Sequence, residues 1–194
     1  MTGEHAEAKH AARSDGRAAR QGIPSGERQA RASAAAERVL GLPEIAAART
    51  VLAYSATREE IDPAPVLAAL RRRGVVVVLP RVSGPGQLTL HRVDDAADLV
   101  EGPFGLLEPA EGAPAVAPAD VDVAIVPGVA FDGACRRVGH GGGYYDRLLG
   151  AMTHAVTVGL AFDEQVFSEV PSEPHDMCVD VLVTPTRTFR RARP

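Results

Sequence analysis

The chain has 194 residues, 45% of them hydrophobic and 24% charged, with a net charge of −4. That length suffices for one domain with a substantial core, and the negative balance excludes general nucleic-acid binding, which needs an excess of Lys and Arg. No apolar run is long enough to cross a bilayer, and the polar start from Met1 to His10 lacks the apolar stretch of a signal peptide, so a cytoplasmic protein without membrane contact is expected.

Residues 1–8 read as a disordered tail ahead of a single domain spanning 9–194. A first helix runs from about Lys9 to Arg20, loosened by Gly16, and Ile23-Pro24 breaks it. Ser25 is placed to cap a second helix to about Leu40, which Gly41 and Pro43 end. Thr50 to Ala56 reads as an apolar strand. Asp62 and Pro63 then start a helix through Arg73, closed by Gly74. Val75 to Leu79 (VVVVL) is a strand covered on both faces, and Gln87 to Val93 alternates like a more exposed one. Residues 102–119 are rich in Pro, Gly and Ala and read as a long connection. Asp122 to Pro127 (DVAIVP) is another buried strand, followed by a loop through Gly143. A helix from about Tyr144 to Met152, a strand from Ala155 to Ala161 and a final strand near Val179 to Thr184 complete the chain, with a solvated basic tail over Arg187 to Arg193. Strands alternating with helices predict an α/β fold: a three-layer α/β/α domain with a mostly parallel sheet and N-terminal helices.

Two cysteines, Cys135 and Cys178, supply neither a disulfide framework nor a zinc site. Of the 21 basic residues 20 are Arg, and Lys9 is the single Lys. Arg and Lys exchange freely on a solvated surface but not where a compact ammonium meets phosphate, which makes Lys9 a candidate phosphate ligand.

The stretch Asp122 to Arg147 carries the most chemistry. A buried strand ends at Pro127, and open α/β sheets bind ligands beyond the carboxyl ends of their strands. Gly139, Gly141, Gly142 and Gly143 let backbone N–H groups approach phosphate oxygens, and a helix begins just after them. Arg136 and Arg137 precede the glycines, His140 lies among them and Asp146 follows: an anion cradle with cations on one side and a carboxylate for a metal on the other. No Lys-Ser/Thr pair follows the glycines, so this is not a P-loop, and Tyr144 stands where a Rossmann fingerprint starting at Gly139 needs its third Gly.

RVGHGGGYYDR at 137–147 resembles the signature of the 5-formyltetrahydrofolate cyclo-ligase (methenyltetrahydrofolate synthetase) family. Lys9-His10-Ala11-Ala12-Arg13 resembles that family's K-x-x-x-R element, Glu60-Ile61-Asp62 its E-[VI]-[DE], Gly105 to Pro109 its G-x-x-E-P, and His175-Asp176 through Asp180 and Thr184 its closing H-D-x-x-x-D-x-x-x-T. The resemblance implies that Lys9, His10, Ala11, Ala12 and Arg13, together with Arg137, Val138, Gly139, His140, Gly141, Gly142, Gly143, Tyr144 and Tyr145, contact ATP. It implies that Tyr54, Ser55, Glu60 and the loop from His140 to Tyr144 contact the folate, that Lys9, Arg137 and Tyr144 serve catalysis, and that Asp146 and Asp176 hold Mg²⁺. Attack of the formyl oxygen on the γ-phosphate and ring closure by N10 would then yield 5,10-methenyltetrahydrofolate, ADP and phosphate in a monomeric enzyme. Whether Arg136 or Arg137 reaches phosphate stays open, as does which of Tyr144 and Tyr145 packs the helix and which touches ligand. Asp132 reads as a turn former.

Overall fold

A computed structural model of the chain describes residues 2–192. Helices α1 (Thr2–Gln21), α2 (Ser25–Leu40) and α3 (Pro43–Ala47) precede strand β1 (Thr50–Leu52), and α4 (Ala64–Arg72) leads to β2 (Val76–Gly84), which turns back as β3 (Gln87–Arg92). Next come β4 (Leu99–Glu101), β5 (Leu107–Pro109), β6 (Ala115–Val116), β7 (Val123–Val126), β8 (Ala130–Asp132) and β9 (Arg137–Val138). Helix α5 (Tyr144–Gly150) and strands β10 (Val156–Leu160), β11 (Val166–Phe167), β12 (Val181–Val183) and β13 (Thr188–Arg190) complete the order.

The main sheet runs β13-β12-β10-β7-β1-β2-β3-β6. Its five middle strands are mutually parallel, and β13, β3 and β6 pair antiparallel at the edges. Successive side chains of a strand point to opposite faces, and here both faces are apolar. Val51, Val77, Val123, Ile125, Val181 and Val183 join one buried cluster with α2 and α4. Leu52, Val78, Ala124, Val126 and Leu182 join the other, with Leu148 and Leu149 of α5. That arrangement is the expected α/β/α sandwich. No helix among the described residues is long and apolar enough to cross a membrane.

Several boundaries differ from the sequence reading. The first helix begins at Thr2, so residues 2–8, read as a tail, are helical, while Met1 lies outside the described residues. Residues 3–8 are exposed, but Ala6 and Ala8 have high helix propensity and Glu4 sits favourably in the first turn. Ser25 makes no side-chain cap; the N-cap position is Pro24. The loop after Pro127 contains a small sheet in which β8 pairs with β9 and β11. The 102–119 connection holds β5, which pairs with β4, and β6, which closes the main sheet's edge. Arg187 to Arg190 is not a loose tail: β13 pairs with β12, Arg187 lies against Asp163 and Arg190 against Glu44, while Arg193 is outside the described residues.

Gly16 also plays a different part. It is buried, and a Cβ built on it would fall 2.3 Å from the Val129 carbonyl oxygen. The missing side chain lets α1 lie directly on the backbone that follows β7, so Gly16 fixes the helix that the sequence reading took it to loosen.

Candidate active site

Tyr54 and Ser55 follow β1, and Pro127 follows β7. These carboxyl ends open into a cavity of about 760 Å³, within the roughly 300–1,000 Å³ of ligand pockets. Pro80 and Val82 of β2 and Leu88 of β3 form an apolar wall, and Leu106 and Leu107 stand at the outlying ribbon.

Helix α1 brings two cations. Lys9 and Arg13, one turn apart, share the face that lines the cavity. His10 and Ala11 point to solvent away from it, and Ala12 packs on Ala130, Val138 and Val170. Of the five-residue element expected to contact ATP, helical spacing thus leaves two side chains at the cavity. The Arg13 Nε donates to the Gly139 carbonyl at 2.9 Å. The Lys9 ammonium donates to Glu173 Oε2 at 2.6 Å and to Asp176 Oδ1 at 2.8 Å. Burial works against the ammonium, but its bonds to Asp176 and Glu173 more than offset this and raise its pKa. Burial likewise opposes ionisation of Asp176, and the Lys9 bond outweighs it to hold that carboxyl below its usual range.

The paired arginines part company. Arg136 is drawn outward by Asp132 at 2.7 Å and Glu169 at 2.9 Å. Arg137 is 5% exposed, lines the cavity and donates to Asp146 Oδ1 at 2.5 Å. Its Nε is buried without a partner among the described residues. Asp132, completely buried, accepts from the amides of Ala134, Arg136 and Val170 as well as from the Arg136 side chain, a larger duty than one turn.

The glycine loop crosses between these cations and the Tyr54 side. Gly141 (φ 104°) and Gly143 (φ 65°) adopt the left-handed conformations that side chains disfavour, and α5 starts at Tyr144. His140 Nε2 donates to Glu60 Oε1 at 3.0 Å, tying the loop to the segment after β1. Tyr144 lines the cavity with its ring over Gly142, while Tyr145 also lines it but packs on both core clusters. Tyr54 is buried and its hydroxyl donates to the Ile61 carbonyl at 2.6 Å, so it forms wall rather than a free polar contact.

Asp146 and Asp176, the expected metal pair, both line the cavity, each held by a cation. Ligand atoms of Glu173, His175 and Asp176 all lie within 4.8 Å of one another. Carboxylate oxygens suit a hard divalent cation, and the Lys9 nitrogen between Glu173 and Asp176 marks the spot as one where a positive charge is stable.

Residues 5–185 match the 5-formyltetrahydrofolate cyclo-ligase family. The chain belongs to that family. It is 32% identical over 175 residues to the 5-formyltetrahydrofolate cyclo-ligase of Escherichia coli K12, covering 88% of this chain and 96% of that one. It is also 32% identical over 177 residues to the Mycolicibacterium smegmatis cyclo-ligase, with 87% and 89% covered. Among solved structures, that of Aquifex aeolicus 5,10-methenyltetrahydrofolate synthetase superposes with a TM-score of 0.85 at 35% identity, over 96% of this chain and 94% of that one. A Mycoplasma pneumoniae methenyltetrahydrofolate synthetase shares the fold, with a TM-score of 0.75 at 19% identity, over 91% and 98% of the two chains.

In this cyclo-ligase chain the sequence reading missed three groups at or beside the cavity. Glu173 binds the same ammonium as Asp176, and its place in a Pro-flanked loop gives no periodic signal. Arg147 donates to the carbonyls of Gly86 at 2.8 Å and Gly142 at 2.6 Å, tying the β2–β3 turn to the glycine loop. Arg20 lies buried beneath Glu60. In sequence, both arginines look like ordinary helix-surface cations.

Proposed function

We propose that the chain, acting as a cytoplasmic monomer, couples ATP cleavage to the closure of 5-formyltetrahydrofolate into 5,10-methenyltetrahydrofolate. The observation that carries this reading is the glycine loop held between two unlike groups. Arg13 grips Gly139 beside Lys9 and Arg137, while Glu60 holds His140 beside Ser55. Triphosphate suits the cation side, and a folate ring with N–H donors suits the carboxylate side.

The formyl oxygen attacks the γ-phosphorus and ADP leaves, giving a formyl phosphate. N10 adds to the activated carbon and loses its proton, and phosphate departs with the original formyl oxygen. Such phosphoryl transfer asks for positioning and charge neutralisation rather than a protein nucleophile. Lys9, Arg13 and Arg137 orient the triphosphate, and the loop amides from Gly139 to Gly143 donate hydrogen bonds to its oxygens. Tyr144 shields the reacting atoms from water. Glu173, Asp176 and Asp146 are the groups that would hold Mg²⁺, which when bound offsets the charge of the triphosphate. Lys9 then turns from the carboxylates to phosphate.

Purified protein incubated with 5-formyltetrahydrofolate should develop the near-ultraviolet absorbance of the methenyl product only when Mg-ATP is added. Active, folded protein that yields no product but turns over sugar phosphates or acyl-CoA esters would overturn the reading.

A further inference from the structure

Arg20, near the C-terminal end of α1, is only 2% exposed, yet its Nε and Nη1 have no hydrogen-bond partner among the described residues. A guanidinium does not shed its proton in a protein, so a full charge is buried there. Its Nη1 lies 3.7 Å from Glu60 Oε1, beyond hydrogen-bond reach but well within the range of strong attraction. The surrounding main chain is fixed, since Arg28 Nη2 donates to the Arg20 carbonyl at 2.6 Å.

Glu60 has two other holds. The Thr57 amide donates to Oε2 at 2.9 Å and His140 donates to Oε1 at 3.0 Å. These holds differ in permanence. Thr57 belongs to the same turn as Glu60, whereas His140 is half-exposed and sits between two glycines of the loop. A ligand N–H directed at Oε1 would compete with His140 and, on displacing it, would leave Arg20 as the cation beneath the carboxylate. Because Arg20 stops short of bonding, it supplies field without occupying the lone pairs that the ligand needs.

We infer that Arg20 is a positioning residue that keeps Glu60 in place and ionised, so that Oε1 can accept an N–H from the aminopyrimidinone ring of the folate. This rests on the function proposed above. The other groups acting on the pair are the Tyr54 and Tyr145 hydroxyls and Glu59, with Arg17 on the Arg20 side. Burial alone would raise the Glu60 pKa, and His140, the Thr57 amide and Arg20 together bring it below its usual value. With Arg20 gone and His140 displaced, burial dominates. The carboxyl then protonates as pH falls and presents a donor where the ring also presents donors.

The test is binding of 5-formyltetrahydrofolate, without ATP, to wild type, Arg20→Met and Arg20→Lys from about pH 5 to 8. Arg20→Met should weaken binding about tenfold or more at neutral pH, with a further loss toward acid that wild type lacks, while the KM for ATP stays within about twofold. Arg20→Lys should recover part of the affinity and remove the acid loss. Wild-type affinity in Arg20→Met at every pH, or equal loss of ATP and folate without a pH signature, overturns the inference alone. Wild-type protein that binds no folate overturns the functional reading and this inference with it. Should Arg20→Met fail to fold, Arg20→Met with Glu60→Gln removes both charges: a folded double variant supports the pairing, and an unfolded one places Arg20 in the scaffold and overturns it.

Discussion

Gly16→Ala tests how α1 delivers its cations. The added Cβ would lie 2.3 Å from the Val129 oxygen, where side-chain carbons do not come closer than 3.0 Å, so helix and backbone must part by about 0.7 Å. The Val129 oxygen cannot simply turn away, because it accepts from the buried Gln165 Nε2 at 2.9 Å. If the helix withdraws by that amount, the 2.9 Å bond from Arg13 to Gly139 opens beyond hydrogen-bond range. Ala stabilises a helix interior by about 1 kcal/mol relative to Gly, whereas overpacking a tight contact costs about 1–3 kcal/mol. The clash should win, lowering Tm by a few degrees and raising the KM for ATP about tenfold through the lost charged contact. Thermal melts and ATP kinetics read both effects. Gly26→Ala is the control, since a Cβ there meets nothing within 4 Å; its Tm and KM should hold or improve. Gly16→Ala with a higher Tm and an unchanged KM would refute the close docking of α1.

Lys9→Ala should reduce ATP-dependent turnover roughly ten- to hundredfold and leave folate binding without ATP unchanged. Lys9→Arg should recover only part, because a planar fork does not replace a compact ammonium at the phosphate. Asp146→Asn keeps an acceptor for Arg137 but removes the charge, so the Mg²⁺ needed for half activity should rise roughly tenfold while Tm falls little. Loss of the fold with no change in Mg²⁺ dependence would mark Asp146 as a structural counter-ion of Arg137. Asp132→Ala removes the acceptor of the buried Val170 amide and of the Ala134 and Arg136 amides, and one of the two carboxylates that pair with Arg136, so urea unfolding should record a loss of about 2–3 kcal/mol; a loss below about 1 kcal/mol would contradict its buried role.

The parallel core was legible because VVVVL and the VAIV of DVAIVP are unbroken apolar runs, as expected of strands covered on both faces. The glycine loop was legible because its glycines, His, paired Tyr and Asp fall together just ahead of a helix start. What stayed hidden depends on partners far along the chain. Gly16 looks like a weak point by propensity, since its reason is the Val129 backbone. Lys9 was singled out by composition, but Glu173 opposite it lies 164 residues away. The β8–β9 hairpin escaped because its strands span three and two residues, and a buried Asp132 organises its turn. That Arg137 lines the cavity while Arg136 turns to Glu169 depends on partners the local sequence does not show.

If phosphate passes to the formyl oxygen before the ring closes, the phosphate released must carry that oxygen away. This can be read from a single-turnover reaction of Mg-ATP with 5-formyltetrahydrofolate carrying heavy oxygen in its formyl group. Mass analysis of the released phosphate should find the label in step with the methenyl product, one phosphate for each ring closed. Methenyl product accompanied by unlabelled phosphate would rule out phosphorylation of the formyl oxygen.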